Sequence, residues 1–175
     1  MRIALKKYQL YMMKDLMKTE EPLRLEIEDA LKLYEEKDPF MAFMMINETY
    51  HCINDSGEKM NFHYQELDDK VSMLLDDGKN KKNYVISCQS ELETIINKYD
   101  IGLRICDECG CPMVSGYTNE DGDYHFCSDY EYEIFMDSLY GKNMWRSEPT
   151  GKKEWNMEYF KDGEWKKETS YYTEW

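Results

Sequence analysis

The chain has 175 residues, 42% of them hydrophobic, and a net charge of −14 from 36 acidic and 22 basic residues. This apolar content excludes global disorder, and the length allows one domain or two small ones. The acidic balance disfavours nucleic acid and anionic membrane as partners and favours basic protein surfaces, although solubility alone would also account for it. No apolar run approaches the ~20 residues of a membrane span and no signal peptide is visible, so we expect a cytoplasmic protein.

The first hundred residues are predicted to be mainly helical. Apolar side chains recur at three- and four-residue steps from Leu5 to Leu16, which predicts a first helix over roughly residues 3–18. Pro22 marks the first turn of a second helix, which ends before Pro39. Residues 40–54 are apolar without helical periodicity, and they favour a strand over a buried helical turn.

Two further helices and a short strand are predicted before the cysteine segment. A helix over roughly residues 64–76 is indicated by the spacing of the apolar residues Leu67, Val71, Leu74 and Leu75. Residues 84–86 follow a polar loop and are expected to form a strand. Ser90 and Glu93 have the spacing of a capping box, which predicts a fourth helix through Tyr99.

Residues 105–141 hold four of the six cysteines, nine acidic residues and no Lys or Arg. Cys106-x-x-Cys109-Gly has the spacing of a zinc-ribbon knuckle, in which two thiolates on a tight turn bind one cation. Cys127 follows a predicted hairpin and precedes the amino end of a predicted helix, which favours a thiolate. These three cysteines are the predicted ligands of a structural zinc ion.

The fourth ligand is open among three residues. Glu131 stands where a C-x3-C pair would have its second cysteine. His125 lies two residues before Cys127 and would share its face in a strand, whereas Cys111, just past the knuckle, would normally point away. The competing interpretation is a ribbon that folds by packing alone, with free or oxidised thiols. A catalytic zinc is disfavoured because a ribbon knuckle is a closed structural device.

The rest of the chain is predicted to be a hairpin, a helix and an aromatic tail. Asp121-Gly122 is a hairpin turn signal, and Ser128 is the expected N-cap of a helix that ends at Gly141. The inward-facing residues of this helix are expected to be Tyr130, Ile134, Phe135 and Leu139. In the tail, which holds all four tryptophans, an Asp-Gly pair at 162–163 predicts a second hairpin.

Together these elements predict an α+β fold in three parts. Residues 1–103 form a mainly helical domain with short strands, 104–141 a zinc-ribbon-like module with its helix, and 142–175 an aromatic β-hairpin tail. Enzymatic motifs are not recognised: His51 and Cys52 would point to opposite faces of a strand, and no phosphate-binding glycine loop or hydrolase motif occurs. We therefore expect a protein that is not an enzyme.

The cysteine segment resembles a family of small zinc-ribbon proteins encoded by bacteriophages and other mobile elements. The residues that carry the resemblance are Cys106-x-x-Cys109-Gly110-x-Pro112-Met113-x-x-Gly116-Tyr117 and Tyr124-x-Phe126-Cys127-Ser128-Asp129. The family pattern is C-x-x-C-G-x-P-M-x-x-G-Y followed by C-S-x-x-C before a helix. The resemblance, which covers residues 104–175 at most, implies zinc on Cys106, Cys109 and Cys127, with Glu131 in place of the fourth cysteine.

These observations predict a binding protein whose acidic, tyrosine-rich surface occupies the basic groove of a nucleic-acid-binding host protein. Phosphate normally fills such grooves, so an acidic protein can compete by imitating its charge. With the phage resemblance, the specific expectation is an anti-CRISPR inhibitor of an RNA-guided nuclease in the bacterial cytoplasm. The alternative is a zinc-ribbon adaptor or transcription regulator that binds a protein partner. The predicted partner-binding residues are Glu120, Asp121, Asp123, Tyr124, Asp129, Tyr130, Glu131, Tyr132, Glu133 and Asp137.

Overall fold

The computed structural model describes residues 4–16, 21–150 and 153–175, and in the second helix it describes side chains from residue 26 onward. Within these residues the chain forms five helices and eleven strands in antiparallel sheets, which confirms the predicted α+β class. The helices are α1 (Lys7–Leu16), α2 (Glu21–Glu36), α3 (Pro39–Asn47), α4 (Gln89–Tyr99) and α5 (Asp129–Tyr140). The strands are β1 (Thr49–Ile53), β2 (Lys59–Gln65), β3 (Lys70–Asp76), β4 (Lys81–Ile86), β5 (Arg104–Ile105), β6 (Pro112–Met113), β7 (Ser115–Asn119), β8 (His125–Phe126), β9 (Trp145–Pro149), β10 (Glu154–Lys161) and β11 (Glu164–Glu174).

The first two helices pack on each other around a small apolar cluster. Leu10 of α1 and Ile27 and Leu31 of α2 are buried at its centre, with Tyr34 beside them. The two helices that the apolar spacing predicts are therefore confirmed, but the first begins at Lys7, so residues 4–6 are not helical as predicted. The predicted ends at residues 3 and 17–18 lie outside the described residues.

Residues 40–47 are helical, so the expectation of a strand from residue 40 is wrong for this stretch. Pro39 opens α3, and the Asp38 side chain caps it by accepting a hydrogen bond from the Met41 N–H at 2.9 Å. Phe40 to Met44 are all buried, so the helix has no polar face and shows no amphipathic period. The strand begins only at Thr49.

A strand replaces the helix predicted over residues 64–76. In β3 the side chains of Val71, Met73 and Leu75 are buried in alternation, whereas Leu67 is fully exposed in the preceding turn. Strands β1 to β4 form an antiparallel sheet in chain order, with β3 between β2 and β4. The predicted strand at residues 84–86 is the end of β4.

The fourth helix is present, but its capping differs from the predicted capping box. Cys88 occupies the N-cap of α4 without a side-chain cap bond, and Ser90 lies inside the first turn. The Glu91 carboxylate accepts a hydrogen bond from the Ser87 N–H at 2.6 Å instead. The helix ends at Tyr99, as predicted.

Both predicted hairpins are present in a second antiparallel sheet of strand order β8-β7-β11-β10-β9. The Asp121-Gly122 turn joins β7 to β8, and the turn at 162–163 joins β10 to β11. Ser128 caps α5 as predicted, but the inward face of this helix differs from the prediction. Tyr130 and Leu139 are 41% and 49% exposed, and the buried residues of α5 are Glu131 and Met136.

One continuous apolar core joins the region before residue 104 to the cysteine segment. It runs from Phe40 through Phe62 and Met73 to Phe126, and it includes three of the cysteines. The boundary predicted at residue 103 therefore falls inside a shared core. No helix in the described part of the chain is long and apolar enough to cross a membrane.

Candidate metal centre

The knuckle is a tight turn between the short strands β5 and β6. The Cys106 N–H donates to the Cys111 carbonyl at 3.0 Å, and the Gly110 N–H donates to the Cys106 carbonyl at 2.9 Å. Gly110 has a φ of 67°, and a Cβ there would overlap the backbone of Pro39 and Phe40 at the start of α3. Only glycine tolerates both the positive φ and the close backbone, so Gly110 allows the knuckle to pack directly against the core.

The β7–β8 hairpin brings the third cysteine to the knuckle. The Asp107 N–H donates to the His125 carbonyl at 2.8 Å, and the His125 N–H donates to the Asp107 carboxylate at 2.6 Å. Cys127 follows directly after β8. The next residue, Ser128, caps α5 by accepting a hydrogen bond from the Glu131 N–H at 3.2 Å. The amino end of α5 is thereby fixed beside the cysteines.

Cys106, Cys109 and Cys127 lie close together and could bind a metal ion. Their sulfur atoms are all within 4.8 Å of one another, and the Cys109 and Cys127 sulfurs are 3.6 Å apart. No other group of three His, Cys, Asp or Glu side chains in the described chain meets this limit. The three residues are those that the spacing predicts as ligands.

The thiols differ in acidity. Hydrogen bonds from the thiols of Cys106, Cys109 and Cys111 hold the pKa of Cys127 well below its usual range. Burial raises the pKa of Cys106, and the neighbouring thiols raise that of Cys109. The neighbouring thiols therefore favour the thiolate form of Cys127.

Glu131, the first of the fourth-ligand candidates, is fully buried beside the thiols. Within the described residues neither of its carboxylate oxygens has a hydrogen-bond partner of good geometry. Burial is the main cause that raises the pKa of Glu131 from 4.5 to about 7, and the negative charges of Cys127 and Glu108 add to it. The Tyr8 N–H and the Cys109 thiol lower this pKa, but by less. A buried carboxylate without a partner is costly, and a cation would compensate it.

The other two candidates have partners elsewhere. The Cys111 thiol is buried and donates to the Pro112 carbonyl at 3.4 Å. The His125 ring packs edge-on against Trp175 at 5.3 Å between centroids, and burial followed by the charge of Arg104 lowers its pKa. The structure does not bring either residue into the group of three sulfurs.

The beginning of the chain also contributes to this site. Burial would lower the pKa of Lys6, but the neighbouring thiols of Cys127 and Cys111 raise it above its usual range. Lys7 forms a 2.9 Å ion pair with Glu108 in the knuckle. The Tyr34 hydroxyl is buried near the same thiols and has no hydrogen-bond partner among the described residues. Sequence reasoning missed these residues because no local spacing connects them to cysteines about a hundred positions away.

The predicted partner-binding residues fall into separate places. Three acids of the β7–β8 turn line a groove of about 820 Å³ that also contains His125 and Trp175: Glu120, Asp121 and Asp123. Asp129 and Glu133 border a small pocket between α5 and the second sheet. Four others have partners within the fold. The Tyr132 hydroxyl pairs with that of Ser170 at 2.8 Å, and Asp137 accepts a hydrogen bond from the Trp145 indole at 2.7 Å. The ring of Tyr124 contacts that of Phe135, and the ring of Tyr130 contacts that of Tyr8.

The fold and the site thus define an α+β protein with a buried cluster of three cysteines that could bind a metal ion. Comparison of the chain with models of protein families, with curated proteins and with solved structures finds no match.

Proposed function

We propose that the protein is a non-enzymatic acidic binding protein that occupies the basic groove of a nucleic-acid-binding protein, as an inhibitor of an RNA-guided nuclease would. The observation that carries this proposal is the exposed face of α5. Asp129, Glu133 and Asp137 are exposed and repeat every four residues, which spaces their positions about 6 Å apart along one side of the helix. Such a row offers regular negative charge to a basic groove.

This arrangement is unfavourable for the helix itself. Like charges four residues apart repel each other, and Asp137 lies in the last turn, where the helix dipole disfavours a negative charge. That turn contains no basic residue. Within the described chain Glu108 is the one acid of residues 105–141 in an ion pair. The first-turn position of Asp129 and the indole hydrogen bond of Asp137 stabilise the helix locally. They do not explain Glu133 or the regular repeat, and recognition of a basic partner is the function that explains these best.

Tyrosine extends the same face. Tyr130 is 41% exposed and follows Asp129 on α5, and its ring packs against Tyr8 at 5.4 Å between centroids. Tyrosine adds rigid contact area and a polar tip at little cost in conformational entropy. The face therefore combines charge for attraction with an aromatic ring for contact.

We further propose that the cation is zinc and that its role is structural. Thiolates select soft or borderline cations, and zinc is the one commonly held by cysteine knuckles. When bound, the metal supplies a cross-link between the knuckle, through Cys106 and Cys109, and the start of α5, through Cys127. The site would thereby hold the acidic face of α5 in a fixed position on the core.

Cleavage assays test the proposed inhibition directly. Purified, guide-loaded RNA-guided nucleases are assayed on target DNA at increasing concentrations of the protein, at about 50 and 200 mM salt. The D129K/E133K double variant is expected to lose inhibition at least tenfold. The matched control, D55K/D68K, changes the net charge equally at exposed turns of the first sheet and should inhibit normally.

Three outcomes would contradict the proposal: inhibition that both double variants retain, inhibition of none of the nucleases, or tight binding of the protein itself to duplex DNA near physiological salt. Specific binding to RNA polymerase without effect on any nuclease would favour the adaptor function instead. Zinc quantitation on natively purified protein tests the identity of the metal.

A further inference from the structure

The surroundings of the three sulfurs contain buried polar atoms that need a partner. Both oxygens of Glu131 and the hydroxyl of Tyr34 are buried without hydrogen-bond partners in the described part of the chain. Native proteins seldom leave such groups unpaired, because burial without a hydrogen bond is costly, most of all for a charged group. Two unpaired groups beside one thiol cluster indicate that a bound species belongs there.

Local helix chemistry points to the same residue. Ser128 and Glu131 have the spacing of a capping box, in which the glutamate would turn back to the N–H of the capping residue. The first half of the box is present, since the Ser128 hydroxyl accepts from the Glu131 N–H. The second half is missing, because the Glu131 carboxylate accepts no such bond and is fully buried near Cys109 and Cys127. The side chain thus gives up a favourable surface bond for a buried position.

We infer that Glu131 is the fourth ligand, so that three thiolates and one carboxylate bind the metal while Cys111 stays outside as a thiol. This inference rests on the proposed zinc site. The Cys111 thiol has two acceptors, the Pro112 carbonyl and the Cys127 sulfur, whereas the Glu131 oxygens have no partner of good geometry within the described residues. Among those residues the ligand atoms within 4.8 Å of one another are the three sulfurs alone. The Glu131 carboxylate must therefore move toward them when the metal binds.

Residues at and just before the start of α1 lie near this carboxylate and the thiols. The Tyr8 N–H lowers the pKa of Glu131, and the positive charge of Lys6 lowers the pKa of Cys127. Three thiolates and one carboxylate around a divalent cation would leave a net charge of −2, which a nearby ammonium group and a helix amino end both stabilise. The N-terminal segment thus provides the positive surroundings that this ligand set requires.

X-ray absorption at the zinc edge on the reconstituted protein tests the ligand set. The wild type is expected to show three sulfurs at about 2.3 Å and one oxygen at about 2.0 Å. The decisive variant is Glu131→Cys, which should convert this shell to four sulfurs, because a thiol at position 131 binds only if that position faces the metal. Cys111→Ser is the matched control and should leave the shell of three sulfurs and one oxygen unchanged. Glu131→Gln should weaken zinc binding at least tenfold.

Each contrary result identifies a different error. Four sulfurs in the wild type, reduced to three in Cys111→Ser, would show that Cys111 is the ligand. An unchanged three-sulfur shell in both Glu131 variants, with unchanged affinity, would assign the oxygen to water. Both results overturn the role of Glu131 but keep the zinc site. If the wild type binds no stoichiometric zinc in titration, the proposed zinc site itself is wrong.

Discussion

The first sheet and the cysteine region share one core, but different interactions stabilise them. The core beneath β1–β4 is built from Phe40, Phe43, Met60, Phe62 and Met73, all buried and apolar. Each such side chain contributes roughly 1.5–3 kcal/mol by burial, independent of pH or metal. The cysteine region instead buries three thiols and Glu131. Among the described residues, Glu131 is the only charged residue that is buried. The comparison indicates that one region folds by burial alone, while the other needs compensation for buried polar groups.

Surface charges show the same contrast. In the first region some exposed acids have basic partners, as in the pairs Lys37–Asp69 and Lys81–Asp76. In residues 105–141, within the described chain, Glu108 alone has one. Ion pairs therefore contribute less to the stability of the cysteine region than to that of the first region.

The largest effect is expected from a cavity in the scaffold. Phe62→Ala removes a buried ring between Phe40 and Tyr50 and should lower the free energy of unfolding by about 3–5 kcal/mol. Leu67→Ala, at a fully exposed position two residues after β2, is the control and should change it by less than about 0.5 kcal/mol. Urea unfolding measures both. A loss at Phe62 no larger than that at Leu67 would refute the proposed core.

Removal of metal should affect the cysteine region selectively. With a strong chelator we expect amide hydrogen exchange to accelerate at Cys106–Cys127, in α1 and in the first turn of α5, while β2 and β3 stay protected. The total loss of stability should be about 3 kcal/mol, well below the ~10 kcal/mol of an isolated zinc finger, because the apolar core remains. Equal acceleration in both regions would mean that the metal supports the whole fold.

Sequence reasoning found the clustered cysteines more readily than the fold, for physical reasons. Two cysteines in a knuckle must be three residues apart, so Cys106 and Cys109 are visible in the spacing. The helix α3 is buried on all sides and therefore shows no period. In β3, Leu74 on the other face of the strand combines with Val71 and Leu75 to imitate helical spacing.

Long-range contacts were beyond sequence reasoning at this site. Lys6 and Tyr34 reach the thiols only through tertiary packing, and neither has a local pattern that marks it. His125 and Cys127 do not share a strand face as expected, since β8 ends at Phe126. Residue spacing predicts contacts that local backbone geometry determines. It does not predict contacts between residues that are far apart in the sequence and meet only in the shared core.

The pH dependence of the metal-free protein should separate the two regions further. The pKa of Glu131 rises from 4.5 to about 7 on folding, because of burial first and then the charge of Cys127. The unfolded chain releases this proton at lower pH than the folded protein does. The resulting stability is therefore complete below about pH 4.5 and is lost as the pH rises through about 7. At about 1.4 kcal/mol per pH unit, the loss is at most about 3 kcal/mol.

Urea unfolding in chelator at pH 4.5, 6 and 7.5, compared with Glu131→Gln, isolates this contribution. The difference between the two proteins should fall as the pH rises. With zinc bound the trend should reverse, because the metal competes with protons for its ligands. A difference that does not change with pH would show that Glu131 titrates normally and is not confined among the thiols.

The smallest effects should have opposite signs in the two regions. Asp69→Asn removes a carboxylate that pairs with Lys37 at 2.6 Å and accepts from the Tyr64 hydroxyl at 3.0 Å, so it should destabilise by less than about 1 kcal/mol. Glu133→Gln relieves the repulsion with Asp129 and Asp137 on α5, so it should stabilise by about 0.2–0.5 kcal/mol per pair. Thermal unfolding at low salt measures both, and salt should shrink both. Destabilisation by Glu133→Gln would mean that the acids of α5 serve the fold itself, and it would contradict the proposed binding face.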